Sequence, residues 1–362
     1  MFLAFGEIMM RVTPPDRRRW RQSLPGRVDV TWGGGEANVC ASLALFGHDV
    51  RYMTSLPRHP ISESLVASLR SLSIDTSPIN WRDESRLGVY FVEAGANQRG
   101  SNVIYDRQFS AISEAAESEY DFEAAMDGVT WLHITGITPA ISENACNVNL
   151  ALAKAAKSAG VTVSCDLNYR KKLWNWRTGT TRRELARECM SELLPFVDLV
   201  IGNEEDASDV LNINADGTDV TQGQLNVGGY SSVARQIVER FPNVSRVAIT
   251  LRESVSADHN NWGALLYTAE DEDVALAPLT SEGQYQPYEI RDIIDRVGAG
   301  DSFAAGLIHA LNTPNLSNPD DAIRFAVAAS CLKHSVHGDF NYVTEEEVLS
   351  LMGGDASGRV QR

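Results

Sequence analysis

The most informative stretch of this sequence is Asp295-Arg296-Val297-Gly298-Ala299-Gly300-Asp301-Ser302-Phe303, in which small residues and one carboxylate open an apolar helix. The residues from Gly298 to Gly300 leave backbone N–H groups unobstructed where the helix predicted over residues 302–311 begins, so an anion such as a phosphate can bind there. Asp301 would be repelled by a resting phosphate, which favours a base that takes a proton from a hydroxyl attacking that phosphate. Taken alone, the stretch is explained equally well by a strand-to-helix turn with an aspartate cap.

The composition predicts a globular protein whose partners are neither nucleic acid nor membrane. Of the 362 residues, 43% are hydrophobic and 22% are charged, which is ordinary for a chain that buries a sizeable core. The net charge of −16 disfavours nucleic acid and anionic membranes, because both require a basic surface. We expect a single domain over residues 1–352 and a flexible tail over residues 353–362. An anionic ligand would need local arginines, for which Arg107, Arg170 and Arg252 are candidates.

The cysteines and the N-terminus both indicate a cytoplasmic protein. The five cysteines are scattered, odd in number and never arranged as Cys-x-x-Cys, so we expect reduced thiols rather than a disulfide framework or a zinc site. The first residues, Met1-Phe2-Leu3-Ala4-Phe5, are typical of a strand rather than of a secretion signal. No stretch of the sequence approaches the roughly 18 apolar residues that a transmembrane helix needs.

Alternating strands and helices predict an α/β fold. Short apolar runs typical of buried parallel strands occur at residues 2–5, 129–135, 161–166, 199–202 and 247–251. Helices are predicted at residues 142–159, 181–194, 204–211, 232–241, 302–311, 320–334 and 344–351, the last with a capping box of Thr344 and Glu347. The pattern is that of a doubly wound, mostly parallel sheet flanked by helices, which binds ligands at the carboxyl ends of its strands.

Two segments, about residues 11–32 and 88–106, do not follow this alternation. Their patches of alternating apolar residues predict antiparallel strands that leave the main sheet and form a small β-lid over the site. The arginine cluster at residues 17–21 is predicted to be a solvated or subunit-contacting lid surface rather than a phosphate site. Residues 212–230 are polar and glycine-rich, which indicates a surface insertion.

A second glycine-rich turn, Gly33-Gly34-Gly35-Glu36-Ala37-Asn38, precedes a helix predicted to run to Phe46. The glycines allow a ligand to approach the backbone closely, and the Asn38 amide both donates and accepts hydrogen bonds, which suits a polyol. A tight strand-to-helix turn explains the motif equally well. Its significance comes from the pairing with the distant turn from Gly298 to Asp301.

Polar residues follow the strand predicted at residues 161–166, in the motif Asp166-Leu167-Asn168-Tyr169-Arg170. Asn168 and Arg170 lie two residues apart and therefore on one face, at the carboxyl end of the strand. An arginine in that position can bind a carboxylate through two hydrogen bonds. A surface ion pair is the alternative.

Three lid side chains are candidates for contacting a ligand. The alternation of a strand points Tyr105 and Arg107 to one side, and Tyr90 lies in the neighbouring alternating patch. Simple packing is the alternative for the tyrosines, because most buried tyrosines have no other role.

Acidic residues follow the strand at residues 199–202, in the motif Asn203-Glu204-Glu205-Asp206. Carboxylates there can hold magnesium through its water ligands, since Mg²⁺ keeps much of its hydration, or they can simply be acids favoured by the helix dipole. Other chemistries lose support. No third glycine completes a dinucleotide motif after Gly300, and the sequence has no Walker loop, Gly-x-Ser-x-Gly elbow or His-Glu-x-x-His motif.

The two glycine-rich turns together resemble the two signatures of the ribokinase-like (PfkB) carbohydrate kinases. Gly34-Gly35-x-x-Asn38 matches the first and Gly298-Ala299-Gly300-Asp301 the second, and the order, spacing and lid segments agree over nearly the whole chain. The resemblance implies a ribokinase-like fold, ATP and Mg²⁺ as cofactors with room for a monovalent cation, Asp301 as catalytic base, and Gly298, Ala299 and Gly300 as anion hole. Residues 203–206 match the family's Asn-x-x-Glu magnesium and phosphate motif, with Asp206 one methylene shorter than the usual Glu. Arg296 stands where the family has Thr or Pro.

Within that family, three blocks resemble 2-keto-3-deoxygluconate kinases. They are His133-Ile134-Thr135-Gly136-Ile137-Thr138-Pro139-Ala140, the motif at residues 166–170 followed by Leu173-Trp174, and His337-Gly338-Asp339. By this resemblance the sugar acid contacts Gly34, Gly35, Asn38, Tyr90, Tyr105, Arg107, Arg170 and Asp339. ATP contacts Asn168, Asn203, Thr250 and Arg252, and Asp206 holds magnesium through water. Residues 253–261 replace the family's small glycine-rich turn, so no adenine contact is assigned there.

The sequence therefore predicts a kinase that transfers the γ-phosphoryl group of ATP to the terminal hydroxyl of 2-keto-3-deoxygluconate, giving 2-keto-3-deoxy-6-phosphogluconate. An arginine pair suits an acidic substrate and would not be required by a neutral sugar. The alternatives are a kinase for 2-keto-3-deoxygalactonate or for a neutral ketose such as fructose and, in another class, a sugar-binding sensor without catalysis. Lid strands of the family commonly pair between subunits, which implies a homo-oligomer.

Overall fold

The computed structural model of the chain describes residues 1–214 and 227–354. The predicted surface insertion at residues 212–230 and the predicted tail at residues 353–362 therefore lie for the most part outside the described residues. No helix in the two described segments combines the length and apolarity needed to cross a membrane.

The strands of the described segments form two sheets. Their bounds are Phe2–Phe5 (β1), Met9–Thr13 (β2), Asp29–Gly33 (β3), Val50–Pro57 (β4), Ile79–Arg82 (β5), Val89–Glu93 (β6), Asn102–Asp106 (β7), Trp131–Thr135 (β8), Thr162–Asp166 (β9), Leu199–Gly202 (β10), Arg246–Ser256 (β11), His259–Thr268 (β12), Asp273–Ala277 (β13) and Tyr288–Ile290 (β14). The main sheet has the order β13-β12-β11-β10-β9-β8-β1-β4-β5, with β14 added to β12. Its strands from β5 across to β11 are parallel, whereas β12, β13 and β14 are antiparallel to their neighbours.

The parallel strands predicted from apolar runs are confirmed as β1, β8, β9, β10 and β11. The strands β4 and β5 and those after β11 were not predicted from the sequence. Residues 253–261, predicted to replace the family's small glycine-rich turn, form the outer part of a long antiparallel hairpin, in which Arg246 pairs with Thr268 and Ser254 with Asn260. Residues 252–255 are exposed, so no apolar run marks the outer part of this hairpin.

Helices flank the main sheet, and most begin and end within a few residues of the prediction. Their bounds are Trp20–Ser23 (α1), Gly35–Leu45 (α2), Pro60–Ser71 (α3), Ala111–Glu114 (α4), Phe122–Met126 (α5), Glu143–Ser158 (α6), Arg182–Leu193 (α7), Glu204–Asp206 (α8), Val227–Arg240 (α9), Ala299–Leu311 (α10), Pro319–Lys333 (α11) and Glu345–Met352 (α12). The helix predicted at residues 204–211 continues beyond α8 as a π-helical turn, Ala207–Leu211. The capping box of α12 is confirmed, since the Thr344 N–H donates to Glu347 Oε2 at 2.8 Å and the Glu347 N–H donates to Thr344 Oγ1 at 3.3 Å.

Both faces of the main sheet are buried, as a doubly wound sheet requires. In β1, Phe2 and Ala4 belong to the same hydrophobic core as α2, α10 and α11, whereas Leu3 and Phe5 belong to the core with α6, α7 and α9. Alternate side chains of a strand point to opposite faces, so a continuous apolar run serves two cores at once. Polar side chains are thereby displaced to the strand ends, where the candidate site lies.

The lid predicted over about residues 11–32 and 88–106 is a separate sheet of four strands among the described residues, in the order β3-β2-β6-β7. The hairpins β2–β3 and β6–β7 are antiparallel as predicted. The strands β2 and β6 are parallel, which corrects the prediction of a wholly antiparallel lid. The alternation of residues in a strand shows which side chains share a face but not the direction of the neighbouring strand.

The arginine cluster at residues 17–21 lies on the surface of the lid. Arg17 pairs with Asp258 at 3.3 Å and Arg19 with Glu93 at 3.6 Å, and the side chains of Arg18, Arg19 and Arg21 are exposed. This exposure agrees with the prediction of a solvated or subunit-contacting lid surface. Exposed ion pairs of this kind contribute little to stability, but Arg17 also donates from Nη2 to the Ile293 backbone oxygen, outside the lid.

Candidate active site

A cavity of about 650 Å³ lies between the lid and the carboxyl ends of the parallel strands. Its walls come from the ends of β9, β10 and β11, the N-termini of α2 and α10, and the lid strands β6 and β7. The predicted site residues that line it are Gly34, Gly35, Asn38, Tyr90, Tyr105, Asn168, Arg170, Asn203, Asp206, Thr250, Arg252, Gly298, Ala299, Gly300, Asp301 and Asp339. Arg107, although it too belongs to the described residues, does not line the cavity.

The turn before α10 is built to leave backbone N–H groups open. Gly298 has a φ of 87°, and a Cβ there would lie 2.3 Å from the backbone oxygen of Asp339, so only glycine fits. The first intrahelical hydrogen bond runs from the Ser302 N–H to the Gly298 oxygen at 2.8 Å. The N–H groups of Gly300 and Asp301 precede that bond at the positive end of the helix dipole, which makes this turn an anion-binding site by geometry.

Asp301 sits at this helix start with its carboxylate held from the opposite turn. Asn38, in α2, donates from Nδ2 to Asp301 Oδ2 at 2.6 Å and to Asp339 Oδ2 at 3.4 Å. Loss of hydration raises the pKa of Asp301 to about 6, against the opposing hydrogen bond from Asn38, and the neighbouring charge of Asp339 adds to the rise. Asp301 is therefore a stronger base than an ordinary aspartate and is still ionised at neutral pH.

Asp339 is fixed by an ion-pair network that the sequence analysis did not detect. Arg11, in β2 of the lid, donates from Nη1 to Asp339 Oδ1 at 2.7 Å and from Nη2 to Asp295 Oδ2 at 2.6 Å, and the arginine side chain is only 4% exposed. Burial opposes the charge of Arg11, but the two carboxylates outweigh burial and raise its pKa. The tyrosine hydroxyl of Tyr90 is nearby, because a Cβ on Gly33 would lie within 2.4 Å of both Tyr90 Oη and Asp339 Oδ2.

The two predicted arginines of the acid-binding pair have different surroundings. Arg170 is exposed on the cavity wall and donates from Nη1 to the Tyr169 backbone oxygen at 3.2 Å. Arg107 shares the inward side of its strand with Tyr105, as predicted, but it is buried and donates from Nε to Glu7 Oε2 at 2.7 Å. Strand alternation predicted the side of Arg107 correctly, whereas its partner Glu7 could not be read from the local pattern. Of the predicted pair, Arg170 lines the cavity and Arg107 does not.

The other end of the cavity carries the residues predicted on the nucleotide side. Asn168 has a φ of 41°, and its N–H donates to Asp166 Oδ1 at 3.0 Å. A Cβ on Gly35 would lie 3.5 Å from both Asn168 Nδ2 and Asp301 Oδ1, so the two turns meet at this point. Thr250 donates from Oγ1 to the Gly202 oxygen at 3.4 Å, at the ends of β10 and β11.

Arg296 lines the cavity beside Arg252 rather than serving only the surface of its turn. Its Nη2 donates to the backbone oxygens of Ser256 and Ala257 at 3.0 and 2.6 Å, which ties the anion-binding turn to the tip of the β11–β12 hairpin. Burial lowers the pKa of Arg296, and repulsion from Arg252 lowers it further. Positive charge is therefore concentrated at this end of the cavity, as phosphate groups would require.

Carboxylates collect where β9 and β10 end. Asp206 accepts from the Tyr169 N–H at 3.1 Å and from the Asn203 N–H at 3.4 Å, and its own N–H donates to Asn203 Oδ1 at 2.8 Å. Loss of hydration, with the charges of Asp206 and Asp301 adding to it, raises the pKa of Asp166 well above its usual range. Asp166 was visible at the end of its strand, but the sequence analysis gave it no role.

The carboxylates of Asp166 and Asp206 are hard oxygen donors of the kind that magnesium prefers. Within residues 1–214 and 227–354, no group of three or more His, Cys, Asp or Glu side chains is close enough to hold a metal ion directly. Asp166 and Asp206 would therefore hold a magnesium ion through its water ligands, and the ion would supply charge neutralisation for phosphate groups.

Comparison with known proteins matches the model of the pfkB family carbohydrate kinases to residues 1–229 and 253–345 of this chain. The crystal structure of a 2-dehydro-3-deoxygluconokinase from Thermotoga maritima is 40% identical, covers 98% of this chain and 99% of its own, and superposes with a TM-score of 0.87. A 2-dehydro-3-deoxygalactonokinase from Haloferax volcanii is 29% identical over 98% of this chain and 97% of its own length. Fructokinase-1 from Oryza sativa subsp. japonica is 24% identical over 97% of each chain.

Proposed function

The chain belongs to the pfkB family of carbohydrate kinases, and we propose that it phosphorylates the terminal hydroxyl of 2-keto-3-deoxygluconate with the γ-phosphoryl group of ATP. The product is 2-keto-3-deoxy-6-phosphogluconate. The observation that carries the proposal is the position of Asp301, a partly buried carboxylate at an open helix N-terminus, in one cavity with the exposed guanidinium of Arg170. Base, anion-binding turn and carboxylate-binding group are the three parts that phosphorylation of a sugar acid requires.

The base and the anion-binding turn act in the same phosphoryl-transfer step, the base on the proton of the hydroxyl and the turn on the transferred group. Asp301 accepts the proton of the terminal hydroxyl as the hydroxyl oxygen attacks the γ-phosphorus, and Asn38 keeps the carboxylate turned toward that hydroxyl. The N–H groups of the turn from Gly298 to Gly300 stabilise the charge on the transferred group. Asp166 and Asp206 would hold magnesium through its water ligands, and the ion supplies neutralisation of the phosphate charges.

The substrate is held from both sides of the cavity. Arg170 binds the carboxylate of the sugar acid, while Asp339 and Tyr90 accept and donate hydrogen bonds to its hydroxyls. Gly34, Gly35 and Tyr105 complete this side of the pocket by close approach and packing. Asn168, Asn203, Thr250 and Arg252 face the nucleotide. Arg107 is proposed to act through Glu7 and Tyr105 rather than by touching the substrate.

The test of the proposal is the initial rate of ADP formation with ATP and magnesium across four sugars: 2-keto-3-deoxygluconate, its galacto epimer, fructose and ribose. We expect kcat/KM to be highest for the keto-deoxy acids. A preference for fructose or ribose would keep the family activity and remove the acid-binding role of Arg170. Ligand binding by calorimetry without ADP formation from any sugar would favour the sugar-binding sensor.

Two alternatives each have one specific observation in their favour. The relative from Haloferax volcanii is named for the galacto epimer. The relative from Oryza sativa is named for fructose, a neutral ketose. The rates with the two epimers decide the first alternative. The epimers differ only in the orientation of one hydroxyl, which the cavity wall must distinguish. The rate with fructose decides the second.

The lid is also proposed to join two copies of the chain. Its strands carry exposed apolar side chains, with Val30 52% and Ile104 49% exposed, and Phe109 just beyond the lid is 71% exposed. Sedimentation should give a mass of two or more chains, and Ile104→Glu should shift it toward the monomer. A monomeric wild type would contradict the proposal. The cytoplasmic location stays a prediction.

A further inference from the structure

Lys333, the last residue of α11, is fully buried. Its side chain has 0% relative exposure, whereas lysine is almost never buried without a partner that compensates its charge. Burial lowers the pKa of Lys333, and the charges of Asp295 and Asp339 oppose that effect. The Nζ atom donates to the Val336 backbone oxygen at 3.0 Å. A buried ammonium is costly, so its position calls for a reason beyond packing.

The lysine stem lies against the anion-binding turn. Its Cε is 3.3 Å from the position that a Cβ on Gly298 would take, so the side chain packs directly under the N-terminus of α10. Val336, which accepts the hydrogen bond from Nζ, begins the loop that leads to Asp339. In the same loop the Gly338 N–H donates to Asp295 Oδ2 at 3.2 Å. The ammonium therefore sits where the turn of the proposed base and the loop of a proposed substrate contact meet.

The electrostatics of this place favour a fixed cation. The carboxylates of Asp295, Asp339 and Asp301 attract the ammonium, while Arg11 repels it. Two of these carboxylates line the cavity that must also accept the negative phosphate groups of a nucleotide. A positive charge at a fixed distance in a site with little water is worth far more than one in bulk solvent.

We propose that Lys333 is a positioning residue for phosphoryl transfer, whose ammonium holds the Gly298 turn and the Asp339 loop together and supplies a built-in positive charge beneath the anion-binding N–H groups. The inference rests on the proposed kinase activity and deepens it. A monovalent cation bound at this place would supply the same charge, so a chain that carries its own ammonium there has no need of one.

A purely structural role makes a different prediction. Lys333 ends α11, and a lysine at a helix C-terminus can stabilise the last turn through the helix dipole. If that were its whole role, its removal would lower the melting temperature and leave kcat of the folded fraction unchanged. The two roles are therefore separated by measuring kcat and stability on the same variants.

The experiment compares Lys333→Met and Lys333→Gln with Arg324→Met, which removes a positive charge from the exposed side of the same helix. For both Lys333 variants we expect kcat to fall about 10²-fold, as when one donor of an anion hole is lost, with a smaller rise in KM for the sugar acid because the Asp339 loop loses one of its contacts. Added propylammonium should restore part of kcat in Lys333→Ala, whose truncated side chain leaves room for the amine, and have no effect on the wild type. Arg324→Met should match the wild type.

The wild type supplies a second measurement that does not depend on variants folding. Its kcat should be the same in sodium, potassium and tetramethylammonium chloride. A requirement for potassium, or a folded Lys333→Met with wild-type kcat, would overturn the role of Lys333. Those results differ from failure of the proposed function, in which the wild type itself would form no ADP with any of the four sugars.

Discussion

Replacing Asp301 by asparagine tests the proposed base with almost no change of shape. The amide oxygen of the new side chain can still accept the hydrogen bond that Asn38 donates at 2.6 Å to the carboxylate. The variant loses the ability to take a proton, and general-base catalysis contributes about 10²–10⁴ in rate. We therefore expect kcat of Asp301→Asn to fall by about that factor, with a smaller effect on KM for ATP.

The same substitution should stabilise the fold at neutral pH. The pKa of Asp301 is raised from 3.8 to about 6 in the folded protein, so the folded state binds this proton more tightly than the unfolded state. The stabilisation from this proton is complete below about pH 4 and is lost as the pH rises through 6. At about 1.4 kcal/mol per pKa unit, the ionised aspartate costs the fold at most about 3 kcal/mol at pH 7. Asp301 is partly exposed to the cavity, so we expect a gain of about 1–2 kcal/mol in Asp301→Asn.

The assay measures kcat/KM of the wild type between pH 5 and 8 by coupled detection of ADP, together with urea unfolding of both proteins. The wild-type rate should rise with pH through about 6, and at pH 5 only about one tenth of the Asp301 side chains should be ionised. The control is Asp83→Asn, which removes a carboxylate whose side chain is 84% exposed. Near-normal turnover by folded Asp301→Asn would contradict its role as the base, and a lower stability than the wild type at pH 7 would contradict its raised pKa.

Three further substitutions test the substrate side, the lid and the turn. Arg170→Gln should raise KM for the keto-deoxy acid about 10- to 100-fold, because a charged hydrogen bond worth about 1.5–3 kcal/mol is lost. KM for fructose should not change in this variant. The control Arg291→Gln removes an exposed arginine and should keep wild-type KM values. Arg11→Met should lower the free energy of unfolding in urea by about 3–5 kcal/mol, because its two carboxylate partners stay buried without their counter-ion. Gly298→Ala should lower kcat at least about 10²-fold through the anion-binding turn. The control is Gly47→Ala, at a glycine with a similar φ but with open space where the Cβ would lie. This variant should have the same backbone strain as Gly298→Ala but keep wild-type kcat.

Each of these outcomes has a clear opposite. An equal loss of affinity for acid and for fructose in Arg170→Gln would mean that the arginine does not read the carboxylate. An unchanged free energy of unfolding in Arg11→Met would mean that the lid does not depend on its buried ion pairs. Equal kcat in the Gly298 and Gly47 variants would mean that the close approach to the Asp339 backbone has no part in catalysis.

The parts of the site that could be predicted from the sequence are those with a local signature. The turn from Gly298 to Asp301 was recognisable because its small residues precede a helix, and Gly298 indeed has the left-handed backbone that excludes other residues. The strand ends that carry Asn168 and Asn203 followed from apolar runs that serve both faces of the sheet. These signals are contained within a few consecutive residues, so no knowledge of long-range pairing was needed.

The parts that could not be predicted depend on partners far apart in the chain. Arg11 is separated from Asp339 by 328 positions and from Asp295 by 284, and nothing near any of the three marks the network. Arg107 is 100 positions from its partner Glu7. The pattern of its strand therefore could not show that Arg107 binds Glu7 instead of lining the cavity. The parallel pairing of β2 with β6 had no local signal for the same reason.

The proposed function is tested most directly by phosphorus and proton NMR of the product formed from 2-keto-3-deoxygluconate, ATP and magnesium. We expect a single phosphate ester on the terminal carbon, with its phosphorus coupled to the two protons of that carbon, formed in step with ADP. An ester on a ring hydroxyl, or release of inorganic phosphate without any sugar phosphate, would contradict the proposed placement of the terminal hydroxyl between Asp301 and the anion-binding turn.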